Sequence, residues 1–320
     1  MARGRESVVT GLEERLAGYL AVRRALGYRL ARAEKLLAQF TTWMNERGEQ
    51  TVTAASALAW ATLPSASGSN WHAHRLSVVR GFAAHLHALD PAHEIVPKDL
   101  LPQRPRRAVP YLYTDAEIRA LMESSDVIPT PHRAATMRAL IGLLAVTGMR
   151  IGEAIRLNRG DIDHQRNTLT VIESKFGKSR QLPVDATTTA ALRAYLRRGD
   201  RPIPAEPTDA VFTSAVGTRL TYCNVHLAFK RIVTHAGLTA RSTACRPRPH
   251  DLRHAFAVNT LLDAYRDDGG DGEHIQARIA LLCTYLGHVN PGSTYWYLQA
   301  APELLALAAE RLEFTEDGAR

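Results

Sequence analysis

Four stretches in the first hundred residues carry apolar side chains at helical spacing. They are G-L-E-E-R-L-A-G-Y-L-A-V-R-R-A-L, A-E-K-L-L-A-Q-F-T-T-W-M-N-E-R, A-A-S-A-L-A-W-A-T-L and N-W-H-A-H-R-L-S-V-V-R-G-F-A-A-H-L-H-A-L. The last three stop before Gly48, Pro64 and Asp90-Pro91, residues that end helices by their backbone preferences. The pattern predicts a small all-α domain over residues 1–100. It then breaks in P-K-D-L-L-P-Q-R-P-R-R-A-V-P-Y-L, where prolines at 97, 102, 105 and 110 forbid a regular helix. Residues 101–112 therefore read as an extended linker, made cationic by Arg104, Arg106 and Arg107. Such a segment suits either a phosphate backbone or plain solvent.

A second domain is expected over residues 113–320. It opens on Y-T-D-A-E-I-R-A-L-M, where Thr114 is a natural N-cap and Glu117 completes a capping box. The apolar run M-R-A-L-I-G-L-L-A-V-T predicts a helix closed by Gly148. In N-T-L-T-V-I-E-S-K-F-G-K-S-R-Q-L-P-V, two strand-like halves flank a glycine-containing turn at Lys175 to Lys178. Beyond it the chain reads as mostly helical again, ending in the amphipathic A-P-E-L-L-A-L-A-A-E-R-L-E-F. The acidic D-D-G-G-D-G-E at 267–273 does not fit a calcium loop and reads as a surface loop.

Composition narrows the class. A chain of 320 residues, 45% hydrophobic and 22% charged, is long enough for two globular domains. No apolar run approaches the roughly 18 residues that span a bilayer. Three cysteines without a C-x-x-C pair argue against a disulfide framework or a cysteine-rich metal site, so a cytoplasmic location is expected. The net charge of +8 favours a polyanionic partner, nucleic acid above all.

The candidate chemistry sits in four stretches of the second half. T-G-M-R-I-G-E-A-I-R-L places Arg150 three residues before Glu153, either a phosphate-binding fork with its support or an ordinary i, i+3 surface pair. S-K-F-G-K-S-R puts Lys175, Lys178 and Arg180 in and beside the predicted hairpin turn. H-D-L-R-H sets His250 and His254 on one helical face, as in zinc peptidases, but Arg253 inside the motif is unfavourable beside a metal and favourable beside a phosphate. L-G-H-V-N-P-G-S-T-Y-W-Y carries His288, Tyr295 and Tyr297.

Taken in order, Arg150, Lys175, His250-x-x-Arg253, His288 and Tyr297 resemble the tyrosine recombinase, or phage integrase, family over about residues 112–300. T-G-M-R-I-G-E is similar to its first arginine box, H-D-L-R-H to its H-x-x-R box, and L-G-H to the histidine that follows. In the family the nucleophilic tyrosine lies about nine residues after that histidine, which selects Tyr297 over Tyr295. The connector D-A-Y-R-D-D-G-G-D-G-E-H is longer and more acidic than usual.

The resemblance implies a mainly α fold with a small β-hairpin or sheet in the catalytic domain. It also implies two domains forming a clamp around DNA, the first a helical, SAM-like core-binding domain. The activity it implies is site-specific DNA recombination of the integrase or transposase type, through a covalent 3′-phosphotyrosine, with no metal, cofactor or ATP. The implied catalytic set is Arg150, Lys175, His250, Arg253, His288 and Tyr297. Arg150, Arg253 and the two histidines would clamp the phosphate, Lys175 would protonate the leaving 5′-oxygen, and His250 would take the phenol proton. Glu153 would hold Arg150 or a histidine, and His254 would contact the site or buttress its helix. Arg104, Arg106, Arg107, Lys178 and Arg180 are the expected DNA contacts. The implied partners are a double-stranded DNA recombination site and accessory recombinases. The chain would be a homotetramer on DNA and a monomer or weak dimer when free. The alternatives are relaxation of DNA in the manner of a type IB topoisomerase, DNA binding without catalysis, and a zinc peptidase.

Overall fold

The computed structural model describes residues 11–28, 30–64, 68–102, 109–172, 179–267, 273–287 and 292. The chain divides into two compact units, Met1–Arg107 and Ala108–Arg320.

The first unit holds α1 (Leu12–Ala25), α2 (Ala31–Glu46), α3 (Ala54–Thr62) and α4 (Ser69–Leu89). Sequence-local signals set their ends. Gly27 and Gly48 take positive φ just beyond α1 and α2, where a left-handed residue closes the last turn. Thr53 and Ser56 form a reciprocal capping box that starts α3. The apolar faces meet in a core around Leu37, Phe40, Met44, Trp60, Phe82 and Leu86. Burying each such side chain stabilises the unit by roughly 1.5–3 kcal/mol before chain entropy is subtracted. Arg75 is buried among them; it donates to the Trp60 carbonyl at 2.8 Å and lies 3.6 Å over the Trp60 ring.

The second unit runs α5 (Asp115–Glu123), a 3-10 turn, α6 (Pro131–Thr147), α7 (Ile151–Arg156) and a second 3-10 turn. Three short strands follow, β1 (Ile162–Asp163), β2 (Thr168–Val171) and β3 (Arg180–Pro183), and then α8 (Ala186–Leu196), α9 (Tyr222–His235), α10 (Asp251–Asp267) and α11 (Glu273–Leu286). The capping box read at Thr114 and Glu117 is present, and Glu117 also accepts from Tyr111 and Arg241. Helix α6 is buried along much of its length and packs against α5, α8 and α10. Among the described residues no helix is long and apolar enough to cross a membrane.

The strands form one antiparallel sheet in the order β1-β2-β3. The two strand-like halves of the sequence pair as expected, and β1 is an addition to them. Asn167 turns β1 into β2 with φ +51, a conformation asparagine tolerates better than most residues. Register matters here: Leu169 faces Leu182, and Val171 faces Arg180. Opposite residues share a sheet face, and so do residues two apart. Arg180 is therefore on the inward face with Leu182, Leu169 and Val171. The segment between α8 and α9 is irregular rather than helical. Pro202, Pro204 and Pro207 remove backbone donors there, and its order comes from isolated bridges such as Asn158 with Ala210.

Candidate active site

The site begins where α6 stops. Gly148 takes φ +56, and a Cβ there would run into the Phe256 ring, so the turn needs glycine for both its backbone and its space. Two residues on, Arg150 is the extended residue that starts α7. Glu153, in the first turn, reaches back to it: the Arg150 N–H donates to one carboxylate oxygen at 3.0 Å, and its Nη1 donates to the other at 2.8 Å. Arg180 comes in from β3 and donates to both oxygens of the same carboxylate, at 2.8 and 3.3 Å. The Glu153 side chain is 1% exposed. Burial pushes its carboxyl up, but the hydrogen bonds and charge of Arg180 and then of Arg150 win and hold its pKa at about 2.

The same arginines meet again at the end of α11. Arg180 Nε donates to the Tyr285 carbonyl at 2.8 Å, Arg253 Nη2 to the Leu286 carbonyl at 2.9 Å, and Arg150 Nη2 to the Gly287 carbonyl at 3.3 Å. The last carbonyls of a helix lack intrahelical partners, and the helix dipole favours cations there. Arg253 is 2% exposed and also donates to the Gly148 carbonyl at 2.7 Å. One guanidinium thus joins the end of α6 to the end of α11.

Helix α10 supplies the histidines. His250 immediately precedes it and keeps a solvent-exposed surface. Desolvation by its surroundings and the charges of Arg253, Arg150 and Arg248 lower its pKa to about 4, so the free protein carries it neutral at physiological pH. His254, one turn later, meets it edge-on with ring centroids 4.9 Å apart. Asp251 turns elsewhere. It is fully buried and accepts from Arg248 at 2.8 and 2.9 Å, and burial pushes its carboxyl up against the pull of that arginine. Tyr113 donates to the Arg248 carbonyl at 3.1 Å, which fixes the approach to α10. The acid of H-D-L-R-H is a brace for the chain before the helix. Among the described residues no group of three or more His, Cys, Asp or Glu side chains is placed to hold a metal ion.

Residues 112–303 match the model of the phage integrase family. The chain belongs to that family. A protein of Sinorhizobium fredii named as an integrase/recombinase (y4rB) is 40% identical over 302 residues, covering 92% of this chain and 95% of that protein. The tyrosine recombinase XerD of Mycobacterium leprae is 32% identical over 254 residues, covering 75% of this chain and 73% of its own. The fold is that of the site-specific recombinase XerH in a post-cleavage complex with its palindromic difH substrate. That likeness has 20% identity and a TM-score of 0.58, over 87% of this chain and 78% of that one.

In this integrase Arg150 and Arg253 meet at the end of α11, Glu153 holds Arg150, and His250 stands near both arginines with His254 against it. Lys175, Lys178, His288, Tyr295, Tyr297, Arg104, Arg106 and Arg107 lie outside the described residues. Arg180, expected as a DNA contact, lies on the inward sheet face with its side chain 12% exposed, and its guanidinium donates to Glu153 and to the Tyr285 carbonyl. Glu153 serves two arginines, where one partner was expected. Arg248, Tyr285 and Gly287 were missed. An arginine three residues before Asp251 was the available signal for the first; nothing local marks the other two.

Proposed function

We propose that this integrase cuts and rejoins DNA at a specific site through a covalent phosphotyrosine. The observation that carries the reading is the convergence of Arg150 and Arg253 on adjacent carbonyls at the end of α11, beside a neutral His250. The residue after Gly287 is His288. Two fixed guanidiniums put positive charge at this helix end before any substrate arrives, which is what a phosphoryl transition state rewards. Pinning them to backbone carbonyls and Glu153 removes the reorganisation that a flexible cation would need.

In the step itself, the Tyr297 phenolate oxygen attacks phosphorus and forms the P–O bond of a 3′-phosphotyrosine. The bond to the 5′-oxygen breaks, and Lys175 gives that oxygen its proton. The phenol proton goes to His250, which must be neutral to take it. Arg150, Arg253 and His288 hold the nonbridging oxygens. Attack by a 5′-hydroxyl of the new partner strand reverses these events. The phosphoester count is conserved, so the chemistry calls for no ATP. Exchange between two duplexes cuts four strands, and the assembly that fits is a homotetramer on DNA built from free monomers or weak dimers. DNA in the nucleoid is the corresponding place of work, with Lys178 and the linker arginines on the phosphate backbone.

Covalent trapping tests this. Purified protein is mixed with nicked duplexes tiled from the DNA flanking its gene, without metal or ATP, and run on denaturing gels. An adduct formed at one sequence and lost in Tyr297→Phe, but kept in Tyr295→Phe, is the expected result. Adducts formed equally on every duplex would favour a topoisomerase. Tight binding without any adduct would leave a binding protein.

A further inference from the structure

We infer that Arg180 is a positioning residue of the strand-transfer site. It locks the lysine-bearing hairpin, the Arg150 turn and the entry to His288 into one frame. The inference rests on the function proposed above and deepens it.

Three separate elements meet at this one side chain. It is the first residue of β3, so it stands at the root of the hairpin whose intervening segment carries Lys175 and Lys178. One edge of its guanidinium holds the Glu153 carboxylate, which holds Arg150. Its Nε–H holds the Tyr285 carbonyl, two residues before Gly287. The Tyr285 hydroxyl closes the loop by donating to the Pro183 carbonyl at the far end of β3, at 3.3 Å. The guanidinium lies against backbone at Gly287: a Cβ there would be 3.0 Å from Nη1 and 3.2 Å from Cζ, and Gly287 has φ +68. Both the missing side chain and the left-handed backbone are needed for this approach.

Only arginine fits these contacts. Its planar fork serves the carboxylate with two nitrogens and the carbonyl with a third; a lysine ammonium is a single point that cannot reach both sides at once. The guanidinium occupies the closed face of the sheet, with all three of its nitrogens engaged by the carboxylate and the carbonyl.

The experiment compares full-length wild type with Arg180→Lys, Arg180→Ala and Gly287→Ala, using the nicked duplex that traps wild type. Gel shifts across a salt series give affinity; single-turnover adduct formation at saturating DNA gives the chemical step. A positioning role predicts unchanged affinity and salt slope and a roughly hundredfold slower step, the scale expected for a displacement of about 1 Å in a reacting group. Lys should fail to rescue Ala, and Gly287→Ala should slow the step with Arg180 still present. If instead affinity falls, the salt slope drops by about one and the saturated rate holds, Arg180 contacts phosphate and the inference is wrong. A second readout covers misfolding and a failure of the parent reading. In Arg180→Lys, amide exchange at Leu286 and Gly287 should quicken while exchange in α6 stays as in wild type; unchanged exchange at both residues overturns the inference. Absence of a wild-type adduct on any duplex would instead defeat the proposed function, and the exchange and salt-slope results would still decide the role of Arg180.

Discussion

Glu153→Gln removes one charge from a buried three-residue cluster while keeping its shape. The carboxyl has a folded pKa of about 2 against an ordinary 4.5. Each unit of such a shift is worth about 1.4 kcal/mol, so the ionised form contributes on the order of 3 kcal/mol. The sign follows from the depressed value. The folded protein holds fewer protons than the unfolded chain between the two pKa values. The contribution is complete above pH 4.5 and disappears as pH falls through about 2. Wild type should therefore exceed Glu153→Gln by about 3 kcal/mol at pH 7, in line with the cost of leaving part-buried cations without their counter-charge. That margin should shrink by about 1.4 kcal/mol per unit below pH 4.5. Urea titrations read by hydrogen exchange in peptides from α7 and α11 would report the second unit apart from the first. A margin equal at pH 7 and pH 3.5 would mean that the loss is steric. A margin below about 1 kcal/mol at every pH would mean that burial cancels the ion pairs.

The remaining predictions are shorter. By nuclear magnetic resonance, His250 in the free protein should titrate near 4, and Arg253→Met should raise that midpoint by removing the closest cause after desolvation. Because this histidine binds its proton later in the folded state, its contribution to stability is present above its ordinary 6.5 and is lost as pH falls toward 4. Gly148→Ala should cost about 2–4 kcal/mol, from a strained φ and an overpacked Phe256, and urea midpoints would reveal it. Thr114→Ala should cost about 1 kcal/mol through loss of the α5 cap, measured the same way. Trp60→Ala should cost about 3–5 kcal/mol and unfold the first unit at lower urea, followed by exchange in α2 and α4.

What the sequence disclosed was mostly local. The box at Thr114, the glycine closing α6 and the paired strands all lie within one element or one turn, where backbone chemistry decides. That Arg150, His250 and Arg253 belong together was legible because each stands in a short motif. The partners of Arg180 were hidden, since Glu153 lies 27 residues away and Tyr285 lies 105. Only the register of β2 against β3 turns Arg180 inward, and a one-residue slip would have exposed it. Asp251 shows the same limit at short range: it stands beside His250 in the sequence, yet in the fold it pairs with Arg248.

The end of α11 offers its arginines main-chain carbonyls, which no point substitution in that helix can delete. The anchors are therefore indifferent to the identity of α11's own side chains and sensitive only to where the helix stops. Inserted residues before α11 leave that stop untouched as long as α11 keeps its packing on α10 through Leu282 and Leu286. The long acidic connector ahead of the helix can then vary in length without disturbing the spacing between Arg150, Arg253 and the residue that follows Gly287. Such a layout separates the length of the chain before α11 from the positions at which Arg150 and Arg253 are anchored.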